Sequence, residues 1–335
     1  MAIILACFNE KINLVGISTT AGNQGVEKTT KNALNTLNII GLILKNETDF
    51  SEKNDLKLTD SLEYGGLKIP VIKGCSKPLI RSSLLCGEIH GETGLEGANL
   101  PALPKNALDF IEKLSEQTKH FTTSIYEYFK ALQSKITVVI TGPMTNIALL
   151  LLNYPDVTKY ISRIVFMGGA CGIGNIMPNS EFNILVDPEA AHIVLECGVP
   201  IFMIPLEVTH TLLVTPEVLS KIREIKTKFT EAITDLLLFF KKSYQEVFGF
   251  IDPPLHDPAT IAFIINPNLF YYRSMRVDIE LHSSLSYGQT VCDIYNMSKK
   301  DKNVHVCLKI DVNEFWNLFY DALKKADLKS PLNGD

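Results

Sequence analysis

FMGGACGIGNIMPNSEFNILVDPEAA, residues Phe166 to Ala191, is the stretch on which the fold turns. It opens on the end of an apolar run, Ile161–Met167, with the length and β-branched character of a buried strand. Gly168, Gly169, Gly172 and Gly174 follow, and glycine lets a backbone turn sharply and come close to a small molecule. Asn175, Glu181 and Asn183 come next, and Asp187-Pro188 then opens a helix. An extended segment would put Glu181 and Asn183 on one side, two residues apart around Phe182. A carboxylate beside an amide can bind a vicinal diol, because each hydroxyl both donates and accepts. The competing reading is a glycine-rich loop whose polar residues only cap the next helix.

Outward from this stretch, strand and helix alternate. Ile12–Thr19 reads as a strand and Glu27–Leu44 as a helix. Ile69–Lys73 is a short strand, and Ala107–Gln117 and Ile125–Gln133 are amphipathic helices. Ile136–Thr141 is a strand, and Gly142-Pro143 opens a helix through Leu152. Pro188–Cys197 is a helix, Pro200–Pro205 a strand, and Thr215–Ile225, Phe229–Phe248 and Pro258–Ile265 are helices. The remainder is expected to be an antiparallel appendix closed by the helix Val312–Ala326. This pattern predicts an α/β fold, a mostly parallel central sheet with helices on both faces, in one domain over residues 1–335. Ligands of such sheets bind at the carboxyl ends of the strands. Lys45–Gly66 is a polar excursion, and Gly87–Pro101 is glycine-rich and irregular. In the latter, His90 is a loop histidine or a ligand contact.

The 335 residues are 46% hydrophobic and 21% charged, an ordinary globular composition. A net charge of −5 with scattered Lys and Arg gives no footprint for nucleic acid. Seven cysteines, none in a CxxC pair, fit a reducing compartment better than a disulfide framework. The start MAIILACFNEK has no basic segment and only a short apolar run, so neither a leader peptide nor a membrane span is expected, and the expected location is cytoplasmic. The sequon at Asn46 is then without consequence.

His256-Asp257-Pro258 is the second informative site. Asp-Pro at a helix start reads first as a cap followed by proline at the first helical position. His256 is a candidate general acid. Tyr244 and Phe248, just upstream, suit stacking on a flat ring or plain core packing.

Taken together and in order, ISTTAGN (Ile17–Asn23), HGETGLEG (His90–Gly97), TGPMTNIA (Thr141–Ala148), FMGG, GN, EFN, DPEAA and LHDP (Leu255–Pro258) resemble the inosine–uridine-preferring nucleoside hydrolases along nearly the whole chain. The end, EFWNLFYDALKKADLK (Glu314–Lys329), looks more like the fungal uridine ribohydrolases. The resemblance implies hydrolysis of the N-glycosidic bond of uridine, inosine or both, to ribose and free base in nucleoside salvage, through an oxocarbenium-like transition state. It implies a calcium ion holding the attacking water and the ribose hydroxyls. By position, Asp257 would ligate the calcium and Thr141 would supply a carbonyl. Asn175, Glu181 and Asn183 would bind ribose hydroxyls, and Asn23 and Met167 would line the ribose site. His256 would protonate the leaving base, with Tyr244 and Phe248 in a mobile flap over it, residues 229–252. A homodimer or homotetramer is implied as well.

One element departs from the family pattern. The aspartate-rich loop DxDPGxDDA, which supplies most calcium carboxylates and the base, does not occur, and Met1–Ile4 aligns with the residues just after it. The expectation is a chain truncated by a faulty start and inactive as written. The alternative is a catalytically dead nucleoside- or ribose-binding paralogue.

Overall fold

The structure, a computed structural model, describes residues 1–43, 63–64, 67–105, 107 and 120–334. In chain order its strands are β1 (Ile17–Thr19), β2 (Glu63–Tyr64), β3 (Leu67–Lys68), β4 (Val71–Lys73), β5 (Ile136–Ile140), β6 (Ile161–Met167), β7 (Ile201–Ile204), β8 (Phe270–Met275), β9 (Val277–Ile279), β10 (Thr290–Cys292) and β11 (Val304–Ile310). Five form one sheet in the order β5-β6-β7-β11-β8, parallel except for the antiparallel edge strand β8. β1 and β4 form a separate parallel pair, in register Ile17↔Val71 to Thr19↔Lys73. β9 and β10 form an antiparallel hairpin, as do β2 and β3.

β6 shows why the sheet is covered on both faces. Ile164, Val165 and Phe166 are all fully buried, although successive side chains point to opposite faces. Val165 joins a core with Leu5, Leu34, Phe263, Phe315 and Phe319, from the helices Ala2–Cys7, Val26–Ile39, Pro258–Ile265 and Val312–Asp327. Ile164 and Phe166 join the opposite core with Ala148, Leu150, Ala191 and Val194, from Thr145–Asn153 and Pro188–Leu195.

No backbone ladder joins β1 to β5 among the described residues. Asn146 spans the gap instead. Its Oδ1 accepts from Cys75 N at 2.8 Å, and its Nδ2 donates to Thr19 O and Ser18 Oγ, each at 2.9 Å. Gly74 lies against this side chain, so a Cβ there would come within 2.3 Å of Asn146 Nδ2.

Several boundaries differ from the sequence reading. The strand expected from Ile12 is confined to Ile17–Thr19, and the helix expected to reach Leu44 ends at Ile39. Gly41, at φ +72°, turns the chain there against Lys329 O. The expected antiparallel appendix is not separate: β11 pairs in parallel with β7 and carries β8 on its other edge. Pro258–Ile265 has the expected bounds, and the closing helix runs Val312–Asp327. Within Gly87–Pro101, Gly87–His90 is one helical turn. Lys45–Gly66, apart from Glu63–Tyr64, and the helix expected over Ala107–Gln117, apart from Ala107, lie outside the described residues. Among the described residues no helix is long and apolar enough to cross a membrane.

Candidate active site

A cavity of about 330 Å³ opens where the strands end. Asn23 follows β1, Thr141 follows β5 and Met167 ends β6, and all three line it. So do Asn175, Glu181 and Asn183 beyond the glycine loop, Tyr244 and Phe248 on the helix Lys228–Phe248, and His256 with Asp257 ahead of the helix Pro258–Ile265. Every site residue singled out in the sequence is thus brought to one place.

The Glu181–Asn183 geometry differs from the extended segment expected. Glu181 is extended and caps a short helix, Phe182–Val186, that contains Asn183. Glu181 Oε2 accepts from Asn183 N and Gly169 N, each at 3.0 Å. Asn183 Nδ2 donates to Met167 O at 3.1 Å, and Asn175 Oδ1 accepts from Phe182 N at 2.9 Å. Glu181 is thus a helix cap that also lines the cavity. Gly169 makes the turn possible: it sits at φ +74°, and a Cβ there would lie 2.5 Å from Met203 Cε. Glu181 is only 2% exposed. Burial pushes its carboxyl up to about 7, against the pull of the N–H groups of Asn183, Gly169 and Ile184. Near neutral pH it can therefore accept a hydrogen bond or donate one, as a hydroxyl partner requires.

Asp187 fulfils the cap expected of it. Its Oδ1 accepts from Ala190 N at 3.1 Å, and its Oδ2 from Leu79 N at 2.9 Å and Thr145 Oγ1 at 2.6 Å. Asp257 does not. Its backbone is already helical, and its side chain makes no capping hydrogen bond, which leaves the carboxylate to the cavity. Burial pushes that carboxyl up to about 6.

His256 is gripped from both sides. Its Nε2 lies 2.8 Å from Tyr244 Oη and its Nδ1 2.7 Å from Thr209 Oγ1. Burial, with His210 and His90 nearby, lowers its pKa to about 3, so the ring is neutral at neutral pH. A neutral ring has one N–H to donate and one nitrogen to accept, and the two nitrogens face Tyr244 Oη and Thr209 Oγ1.

Calcium takes about six to eight oxygen ligands. Of the ligand positions the resemblance implies, the cavity holds the Asp257 carboxylate and Thr141, while Glu181 Oε2 is taken up by Gly169 N and Asn183 N, and among the described residues no group of three or more His, Cys, Asp or Glu could hold a metal ion. These residues do not fit a calcium site.

The sequence left some contributors unnoticed. Thr209, fully buried at the end of the helix Leu206–Thr209, fixes His256 and carries no motif. Phe240 joins the aromatic wall, its ring 4.5 Å from that of Tyr244, and its spacing from Tyr244 along the helix was the available signal. His90 lines the cavity beside Phe240, with ring centroids 5.6 Å apart.

Residues 52–317 match the family model described as inosine-uridine preferring nucleoside hydrolase. The chain is 41% identical over 333 residues to a probable ribonucleoside hydrolase of Dictyostelium discoideum, covering 96% of this chain and 90% of that one. It is 38% identical over 326 residues to the pyrimidine-specific ribonucleoside hydrolase RihA of Shewanella sp. (strain MR-7), covering 96% and 92%. Among solved structures, the purine-preferring ribonucleoside hydrolase from Gardnerella vaginalis superposes with a TM-score of 0.77 at 27% identity, covering 98% of this chain and 95% of that one. The sheet, the cavity at its strand ends and these matches agree: the chain belongs to the inosine-uridine preferring nucleoside hydrolase family.

Proposed function

We propose that the cavity binds a ribonucleoside, with ribose against Asn23, Met167, Asn175, Glu181 and Asn183 and the base beneath Tyr244 and Phe248 beside His256. The reaction that follows is hydrolysis of the N-glycosidic bond to ribose and free base. The observation that carries this reading is the buried Glu181 carboxyl beside Asn183, at the same cavity as the His256–Tyr244 pair. A buried carboxyl near its titration point matches a diol. The hydrogen-bonded pair is placed to stabilise charge on a departing base. Pyrimidine nucleosides are the first substrates to test, since the RihA relative is named pyrimidine-specific, and inosine is the second. A homodimer or homotetramer belongs to the same reading and rests on family resemblance alone.

A second reading, a nucleoside-binding protein without turnover, is favoured by the lack of a metal-holding group among the described residues. One experiment separates the two. Uridine and inosine hydrolysis is followed in the wild type and in His256→Ala, alongside a ribosyl substrate with a good leaving group. The enzyme reading expects the variant to lose turnover of uridine far more than of the activated substrate. Equal losses would remove His256 from leaving-group activation. Binding of uridine without release of base would establish the second reading.

A further inference from the structure

The segment Gly87–Gly97 carries Ile89, His90, Gly94, Leu95 and Glu96 into the cavity wall. After the helical turn Gly87–His90 it runs on in turns and bends, with Gly91, Gly94 and Gly97 at φ +71°, +81° and +100°. Such a backbone builds no ladder of its own, so its carbonyls need donors from elsewhere. One neighbouring stretch supplies them. Gln24 Nε2 donates to Gly91 O at 2.6 Å, Lys28 Nζ to Glu92 O, and Asn32 Nδ2 to Thr93 O at 2.7 Å. The donors stand four residues apart, Gln24 just ahead of the N-cap Gly25 and the other two on the helix Val26–Ile39, so they make one stripe. The acceptors are three consecutive residues. Packing is tight on both sides of the loop. A Cβ on Gly94 would lie 2.8 Å from Asn32 Nδ2, and one on Gly97 would lie 2.6 Å from Phe239 Cβ, on the helix Lys228–Phe248.

We propose that Gln24, Lys28 and Asn32 are positioning residues, a three-point tie that holds Gly91–Thr93 to the helix Val26–Ile39 and so sets His90 and Glu96 in the cavity wall before a ligand arrives. The proposal rests on the reading of that cavity as a nucleoside site. None of the three donors lines the cavity, so they act through the loop. The middle bond is charge-assisted, which makes Lys28 the strongest of the three. A wall fixed beforehand spares the ligand the cost of ordering it, so loss of the tie should appear as weaker binding. Lys28 is exposed and Asn32 half-buried, and both can be shortened without opening a hole in the core.

The test compares the full chain with the double variant Lys28→Ala, Asn32→Ala. Amide exchange read by mass spectrometry should quicken about tenfold over residues 87–97 and stay unchanged along β6. His90, whose pKa burial lowers from the ordinary 6.5 to about 4, should titrate closer to 6.5 in ring NMR spectra of the variant. Uridine binding, measured by calorimetry, should weaken about tenfold. Lys28→Arg should match wild type in all three readouts, because arginine still donates to Glu92 O, and so should Lys31→Ala, which removes an exposed lysine from the same helix. Unchanged exchange over residues 87–97 with an unchanged His90 titration would overturn the proposal. So would exchange that quickens equally along β6, since the two side chains would then serve stability alone. A wild type that binds no uridine, beside a variant that loosens the loop and His90, would uphold the tie and strike only the nucleoside reading.

Discussion

Glu181→Gln should make the protein more stable at alkaline pH, even though Glu181 sits at the heart of the cavity. The wild-type carboxyl has its pKa raised from the ordinary 4.5 to about 7, chiefly by burial. A raised folded-state pKa means that the native protein holds a proton the unfolded chain has released between those values. The carboxyl's contribution to stability is therefore complete below pH 4.5 and lost as pH rises toward 7. At about 1.4 kcal/mol per pH unit, the loss across that window is about 3 kcal/mol, an upper figure for a single group. Glutamine keeps a carbonyl oxygen to accept from Gly169 N and Asn183 N but carries no charge to bury. Groups such as Asp257 and His90 titrate in both proteins and largely cancel in the difference. Urea unfolding of the two proteins, in buffers from pH 4.5 to 8, gives this difference directly. The variant should be equal to or slightly weaker than wild type at pH 4.5 and about 3 kcal/mol stronger at pH 8. A difference that stays flat within about 0.5 kcal/mol across the range would refute the reasoning and mean that the three N–H donors already keep the carboxylate ionised.

Three further outcomes are expected. Asn146→Ala orphans Cys75 N and Thr19 O and should cost about 3 kcal/mol in urea unfolding, and a loss below about 1 kcal/mol would show that water replaces the clamp. Gly174→Ala puts a Cβ 2.3 Å from Met177 O and from Ser180 N and O, so the loop must move. Its expected cost is about 2–3 kcal/mol, measured by thermal melting, with weakened nucleoside binding, and an unchanged midpoint would contradict the tight packing of the loop against itself. Calcium in the millimolar range should leave the thermal midpoint of the 335-residue chain within about 1 °C, because the described residues hold no group of three or more metal-ligating side chains. A micromolar site saturated at that concentration would add about 4 kcal/mol, so a rise of several degrees would reveal ligands beyond those described.

What could be read in the sequence was whatever depends on local chemistry. The β6 strand, the glycine loop and the Asp187-Pro188 helix start are each written in consecutive residues, and each is found in place. The ordered motifs were enough to gather Asn23, Thr141, Asn175, Glu181 and His256 at one cavity. Features set by distant pairing were less legible. β11 could not be known to enter the main sheet, because its parallel partner β7 lies about a hundred residues earlier. Asp257 looks like a cap by residue type, yet its helical backbone turns the side chain to the cavity. Thr209 acts only because its hydroxyl meets His256, and a threonine at the end of a short helix gives no sign of that.

The attachment of β1 and β4 to the rest of the molecule has a consequence for how binding is felt. A ladder of backbone hydrogen bonds unzips as a unit, whereas the Asn146 links can break singly while Ile17 and Val71 still rest on the core. The pair is thus placed to act as a separate opening unit, with a lower free energy of exposure than the five-stranded sheet. Asn23 lies four residues beyond the end of β1 and lines the cavity. If a nucleoside is held partly by Asn23, as proposed, it would spend some of its affinity keeping the small sheet shut. Its occupancy should be legible, far from any ligand contact, as slowed amide exchange along Ile17–Thr19 and Val71–Lys73.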